Sequence, residues 1–170
     1  MTTGRAVTCD VWDLARRRAC IEGELALGDM RRLSGQLADT AGALRYRMTG
    51  MIDERGRPAA RLEVRGPVQV RCDRCGGAVQ MGIDEQARFY FVADEDELGR
   101  LPIDDALEEP LLGSRRFDVG SLVEEQAILA LPISPRHDEC AGASAATDRG
   151  PDGGTQRPFA ALASLKKLRR

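Results

Sequence analysis

Two short pairs of metal-ligand residues, far apart in the chain, constrain the fold more than any other feature. Cys72 and Cys75 form a Cys-x-x-Cys pair, and His137 and Cys140 form a second pair with the same spacing. Thiolate and imidazole are ligands of tetrahedral zinc, and four protein ligands make a closed, structural type of site. The sequence therefore predicts a structural zinc ion that joins two distant segments.

A redox role for the first cysteine pair is the main chemical alternative. Alternating apolar residues precede the pair and Gly76-Gly77 follows it, which predicts a turn between two strands. A thioredoxin-like site instead places its cysteines at a helix N-terminus, where the helix dipole lowers the thiol pKa. A thiol oxidoreductase is thus the less favoured interpretation. Cys9 and Cys20 have no matching ligands and are expected to be small buried hydrophobic residues.

Apolar residues alternate with polar ones in four stretches, which predicts strands joined by short turns. Consecutive strands of this kind form an antiparallel β meander, so the expected fold class is α+β with a few helices packed on the meander. The predicted strands cover residues 21–27, 44–50, 62–70 and 79–91.

Three segments of the body have helical patterns. One begins at a capping Asp10 and runs to Ala19; another spans Asp29–Leu37 with Asp29 as its cap. The third follows Asp118 or Ser121 as cap and ends at Pro132. Residues 94–109, which are acidic, are predicted to be a surface loop. The buried face of the third helix is predicted to contain Leu122, Val123, Gln126, Leu129 and Ala130.

The C-terminal part has a different composition from the body. Residues 1–140 are expected to form the α+β body with the zinc site, and residues 141–156, small and Gly-rich, a disordered linker. Residues 157–170 are predicted to form a basic amphipathic helix, with Pro158 in its first turn.

Charge is distributed unevenly, although the net charge is only −2. Residues 1–75 carry 14 basic and 10 acidic side chains, residues 83–125 carry 4 and 13, and residues 157–170 carry 5 and none. The basic ends attract phosphate, whereas the acidic middle repels it. The preferred RNA or partner contacts lie in the C-terminal helix: Phe159, Leu162, Leu165, Lys166, Lys167, Arg169 and Arg170. The second-choice RNA contacts are Arg45, Arg47, Arg61, Arg65, Arg71 and Arg74.

Several function classes lack their sequence signatures. The chain has no Walker loop, Rossmann fingerprint or nucleophile elbow, and its one histidine is assigned to the metal. No apolar run approaches the roughly 20 residues of a membrane helix, and no signal segment is recognised. We expect a cytoplasmic, non-enzymatic protein without a small-molecule substrate.

Four segments together resemble a known family. Val70–Cys75, Asp118–Pro132, His137–Cys140 and Arg157–Lys166 occur in the order found in YceD-like proteins, the large ribosomal RNA subunit accumulation proteins of bacteria and plastids. The resemblance covers about residues 60–168. It implies a non-catalytic role in the accumulation, processing or stability of 23S ribosomal RNA. Some relatives carry more cysteines after the Leu-Pro helix, where this chain matches only at His137 and Cys140.

Two partners remain open for such a factor. One is precursor large-subunit ribosomal RNA, contacted by the basic residues. The other is a basic ribosomal protein, bound by the acidic residues of an adaptor that never touches RNA.

Overall fold

The alternating segments form one mixed sheet with helices packed on it, which is an α+β fold. The structure is a computed structural model that describes residues 7–101 and 108–140. A 3-10 turn at Leu27–Asp29 lies between the second strand and the second helix. In chain order the elements are β1 (Thr8–Cys9), α1 (Val11–Arg17), β2 (Cys20–Ala26), α2 (Arg31–Ser34), β3 (Leu37–Asp39), β4 (Ala43–Ile52), β5 (Pro58–Arg71), β6 (Ala78–Val92), α3 (Glu95–Gly99), β7 (Glu109–Leu112), β8 (Phe117–Asp118) and α4 (Val119–Leu129).

The large sheet has the order β2-β4-β5-β6-β7, with β3 paired to β5. Its first four strands are antiparallel neighbours, so the predicted meander is confirmed. Met48 lies opposite Leu62, and Val70 opposite Val79, which keeps the apolar side chains of adjacent strands on one face. β1 and β8 form a separate two-stranded sheet.

The acidic segment after β6 is more ordered than the predicted surface loop. Asp94 caps α3 by accepting the N–H of Glu97 at 2.7 Å. β7 then pairs parallel to β6, with Leu111 opposite Phe91. The segment lies on the surface as predicted, but the loop prediction missed α3 although its cap is local. β7 was not predicted, because its partner strand is distant in sequence and four residues do not indicate it.

Helix α1 follows its sequence pattern closely. The carboxylate of Asp10 accepts the N–H of Trp12 at 3.0 Å and of Asp13 at 3.1 Å. The predicted apolar face is buried, with Val11 and Leu14 in the main core. The helix ends at Arg17, two residues before the predicted end, because Arg18 adopts a left-handed conformation with φ of 51°.

The helix predicted over residues 29–37 is shorter than expected. Asp29 does not cap it, and Met30 at the N-cap position makes no side-chain capping bond. Leu37 instead begins β3 and pairs with Val70 of β5. The apolar positions of this segment are nevertheless buried, since Leu33 and Leu37 both join the core.

Helix α4 lies against the same core and precedes the segment that leads to the second ligand pair. Asp118 is its cap, accepting the N–H of Ser121 at 3.0 Å. Leu122, Val123 and Gln126 are buried as predicted, but Leu129 is 67% exposed. Leu129 occupies the flank of the last turn, where no element among residues 7–101 and 108–140 covers it. No helix in the described part of the chain is long and apolar enough to span a membrane.

Candidate metal centre

The first ligand pair lies in a tight turn between two antiparallel strands, β5 and β6. Cys72 donates its N–H to the carbonyl of Gly77 at 2.8 Å, and Gly76 donates to the carbonyl of Cys72 at 2.8 Å. Gly76 has a φ of 73°, a left-handed conformation that glycine adopts without steric cost. The cysteine pair therefore does not lie at a helix N-terminus, which removes the structural context of a thioredoxin-like site.

The second pair reaches this turn through the segment that follows α4. Pro132 and Pro135 lie in this segment, and the carbonyl of Pro135 accepts the N–H of Asp73 at 2.9 Å. This backbone contact holds the segment against the turn. It brings His137 and Cys140 to the thiols of the first pair, so the four residues predicted from sequence form one cluster.

The distances within the cluster fit a tetrahedral ion. All four ligand atoms lie within 4.8 Å of one another. Cys72 Sγ is 3.6 Å from Cys140 Sγ, and His137 Nδ1 is 3.4 Å from Cys75 Sγ and 3.9 Å from Cys140 Sγ. Zinc bonds of about 2.3 Å to sulfur and about 2.0 Å to nitrogen give ligand–ligand separations of roughly 3.5 to 3.8 Å. The four cysteine and histidine side chains can thus hold one metal ion.

The cysteines of the cluster are free thiols, as are Cys9 and Cys20. The separation of Cys72 and Cys140 is far longer than the roughly 2.05 Å of a disulfide bond. Cys9 is half-buried, while Cys20 is exposed on β2. The prediction that Cys20 is a buried hydrophobic residue was therefore wrong, because β2 is an edge strand whose outer face meets solvent.

A backbone hydrogen bond orients the histidine. His137 Nε2 lies 2.9 Å from the carbonyl oxygen of Ala78, an acceptor, so Nε2 carries the proton and donates it. Nδ1 then keeps its lone pair facing the sulfur atoms, which is the tautomer a metal needs. Ala78 is a site residue that sequence analysis missed, and no signal reveals it because the acceptor is a main-chain atom.

Burial and neighbouring groups shift the pKa values of three ligands of the cluster, in different directions. Burial opposes ionisation of Cys72, but N–H groups of His137, Cys75 and Arg74 outweigh it and lower the pKa of Cys72 to about 5. Donation to Ala78, followed by contacts with Cys72 and Cys75, raises the pKa of His137. Burial and the neighbouring thiols raise the pKa of Cys140. Only Cys72 is thus biased towards the deprotonated form that a metal requires, whereas a metal would have to displace protons that Cys140 and His137 hold more tightly.

Among the arginines predicted to contact RNA, Arg45 and Arg47 lie on the outer face of β4. Arg45 pairs with Glu24 at 2.7 Å, and Arg47 with Glu22 at 2.7 Å. They line an open concavity of about 510 Å³ whose charged walls hold three glutamates and three arginines. Arg61 and Arg65 are also paired, Arg61 with Glu63 at 3.7 Å and Arg65 with Asp84 at 2.7 Å.

Arg71 and Arg74 lie in a different environment, beside the metal cluster. Both are exposed, and neither forms an ion pair within residues 7–101 and 108–140. The predicted contacts in the tail lie outside the described residues; they are Phe159, Leu162, Leu165, Lys166, Lys167, Arg169 and Arg170.

Comparison with known proteins gives one family. A family model described as large ribosomal RNA subunit accumulation protein YceD matches residues 60–166, a range that includes both ligand pairs. The chain is similar to the large ribosomal RNA subunit accumulation protein YceD of Haemophilus influenzae, with 26% identity and 95% of each chain covered. No solved structure matches the chain.

Proposed function

Since this chain belongs to the YceD family, we propose that it is a non-catalytic, cytoplasmic ribosome biogenesis factor that supports the synthesis, processing or stability of 23S ribosomal RNA. The observation that carries the proposal is the family match, which spans most of the chain. The similar Haemophilus influenzae protein is named for accumulation of the large ribosomal RNA subunit.

The chemistry of the metal cluster supports a structural role for the ion, which we propose to be zinc. Four protein ligands fill a tetrahedral zinc, so no open position remains for water or substrate. The only histidine of the chain is one of these ligands and is not available for acid–base catalysis. The ion would fix the end of α4 to the β5–β6 turn and so shape the binding surface.

We place the RNA contacts on side chains whose charge is not already neutralised. Arg71 and Arg74 meet this condition beside the metal cluster, and the basic residues of 157–170 supply five further positive charges. Arg45 and Arg47 are weaker contacts in this proposal, because a phosphate would have to displace a glutamate from each. Every phosphate contact adds affinity that falls with salt and does not depend on base sequence.

The test is complementation in cells that lack the endogenous protein. Full-length protein should restore the ratio of 23S to 16S ribosomal RNA and co-sediment with precursors of the large subunit. Deletion of residues 157–170 should impair both, whereas the double variant Arg45→Gln/Arg47→Gln should have a smaller effect. Unchanged co-sedimentation of the deletion variant would count against the proposed role of the tail.

A second candidate function is an adaptor that binds a basic ribosomal protein without contacting RNA. The observation in its favour is α3, which exposes Glu95 and Asp96 without a cationic partner among the described residues. Crosslinking in cells separates the two functions. Recovery of ribosomal RNA supports the first, and recovery of protein alone supports the adaptor.

A thiol oxidoreductase is the least favoured function. The low pKa of Cys72 suits a reactive thiol, but it suits a metal ligand equally well. Zinc-loaded protein should therefore not reduce a disulfide substrate, and measurable turnover of such a substrate would favour the redox function.

A further inference from the structure

The end of α4 presents an unusual amount of apolar surface. Leu129 is 67% exposed and Ile133 is fully exposed, more than any other large hydrophobic residue in the described part of the chain. Ile52 and Leu112, on other parts of the sheet, are only about 40% exposed. We define the α4 exit patch as Leu129, Pro132 and Ile133.

The α4 exit patch is held in place on both sides. Helix α4 precedes it, and Ala130 and Leu131 continue the helical hydrogen bonding to Gln126 and Ile128. After the patch, the carbonyl of Pro135 is bound to the turn of the first ligand pair. An apolar surface with a fixed backbone loses little conformational entropy when it is covered.

We propose that residues 157–168 of this same chain bind the α4 exit patch in the free protein. Phe159, Leu162 and Leu165 recur at intervals of three, so in a helix they lie along one side. This apolar side is the surface that the patch would bury. The inference goes beyond the proposed function, because it does not require the tail to bind RNA.

The length of the chain permits this contact. Ile133 precedes Cys140 by seven residues, a span of at most about 25 Å even when fully extended. A flexible Gly-rich chain as long as residues 141–156 would span about 22 Å root-mean-square. A tether of this length keeps the tail at a millimolar-range effective concentration, so a small patch is sufficient for binding.

Charge favours the tail over a second copy of the patch. Glu125 is exposed and lies one helical turn before Leu129, on the same flank of α4. The opposite flank is occupied, because Glu124 binds α2 there. Lys166 and Lys167 directly follow the apolar side of the tail and complement Glu125. A symmetric contact between two patches would instead bring two copies of Glu125 together.

Photocrosslinking in the full-length, zinc-loaded protein tests the contact. With Leu129→p-benzoylphenylalanine at high dilution, we expect a crosslink within one chain to a peptide from residues 157–168. Leu112→p-benzoylphenylalanine is the matched control and should not give this product. A crosslink that joins two chains and grows with concentration, or no crosslink to the tail, would overturn the proposal.

Proteolysis supplies a measurement that does not depend on the photoreactive group. Trypsin should cleave after Lys166 and Lys167 severalfold faster in Leu129→Ser/Ile133→Ser than in the unaltered protein. Both side chains are exposed, so the substitution leaves the core intact, and Leu112→Ser is the control for an exposed leucine elsewhere. Equal tail cleavage rates in all three proteins contradict the contact. Failure of the proposed function would be read separately, from RNA association of the tail deletion.

Discussion

Glu124 on α4 accepts the backbone N–H of Arg32 at 2.7 Å, and the same oxygen accepts the N–H of Leu33 at 3.1 Å. The first turn of α2 therefore receives its cap from a helix about 90 residues away in sequence. Its own N-cap residue, Met30, makes no such bond. This contact ties the β3 side of the sheet to α4, the helix that leads into the metal cluster.

Removal of this cap should destabilise the body. Glu124→Ala leaves two N–H groups of α2 without an acceptor and should cost about 1–2 kcal/mol of unfolding free energy. Glu125→Ala, at the exposed neighbouring position, should change stability by less than about 0.5 kcal/mol. Urea unfolding of both variants measures the difference, and equal midpoints would show that the cap contributes nothing.

Protein purified without chelator should contain one zinc ion per chain. Cys72→Ser should lose the ion and about 2–4 kcal/mol of stability, because the binding energy of a structural metal is folding energy. Cys20→Ser, at an exposed cysteine on β2, should retain the zinc ion and the stability of the unaltered protein. Metal analysis and thermal unfolding are the measurements. A full-length protein that binds no zinc contradicts the predicted site.

The orientation of His137 leads to a prediction about ligand number. His137→Cys keeps four ligands and should retain zinc, although it loses the bond to Ala78, a kind of outer contact worth about 10–100-fold in affinity. His137→Ala leaves three ligands and should bind more weakly still. Competition with a chromophoric chelator measures the zinc affinity of the unaltered protein and of each variant. Equal affinity of the unaltered protein and the alanine variant would exclude His137 as a ligand.

The turn between β4 and β5 depends on one carboxylate. Asp53 accepts the N–H groups of Arg55 and Arg57 at 2.9 and 2.7 Å, and its other oxygen accepts Nε of Arg57 at 2.5 Å. The Arg57 guanidinium also lies 3.4 Å above the ring of Tyr90. Burial opposes ionisation of Asp53, but the bonds from Arg57 prevail and lower its pKa.

The stability contributed by Asp53 should therefore depend on pH. Because its folded pKa lies below the unfolded value, the contribution is complete above the unfolded pKa of about 3.9 and is lost as pH falls through the folded pKa. At pH 7, Asp53→Ala should cost about 2–4 kcal/mol, and the exposed Glu54→Ala close to none. The difference between these variants should shrink at low pH. A pH-independent difference in unfolding free energy would contradict this account.

Two glycines of the sheet should respond in opposite ways to the same substitution. A Cβ atom at Gly50 would overlap the backbone oxygen of Leu14, so β4 and α1 can approach this closely only without a side chain. Gly50→Ala should cost about 3 kcal/mol or more. At Gly82 a Cβ meets nothing within 4 Å, and Gly82→Ala should be neutral or stabilise by about 0.5–1 kcal/mol. Chemical denaturation distinguishes the two.

The alternation of apolar and polar residues predicted most strands of the large sheet. It did so because one face of the sheet is buried, and Leu44, Met48 and Leu62 all lie on that face. β7 was not predicted, because four residues are too few to show an alternation of apolar and polar side chains, and its partner strand β6 is distant in sequence. The prediction that Leu129 is buried failed although the helix itself was correctly predicted. Helical spacing places a residue on a flank but cannot tell whether another element covers that flank.

Some features of the candidate site could likewise be predicted from the sequence, and others could not. The spacing of Cys72, Cys75, His137 and Cys140 predicted that these four side chains meet in one cluster, because residue types and turn residues can be read from the sequence. The carbonyl of Ala78 was not predictable, since every residue has one and only the fold selects which one meets the imidazole. The glutamates that neutralise Arg45 and Arg47 likewise depend on the register of β2 against β4.

Cys140 is the last residue of the metal cluster, so metal binding determines how much chain separates the body from the tail. If residues 141–156 act as a flexible tether, that tether is counted from residue 141 when Cys140 binds the ion. Without the ion it is counted from about residue 132, so 25 residues replace 16 before Arg157. Local concentration falls with about the −3/2 power of contour length, so loss of the ion would dilute the tail about twofold at the body's surface. The occupancy of the metal site would thereby set the volume that the tail can explore, although the tail itself contributes no ligand to the site.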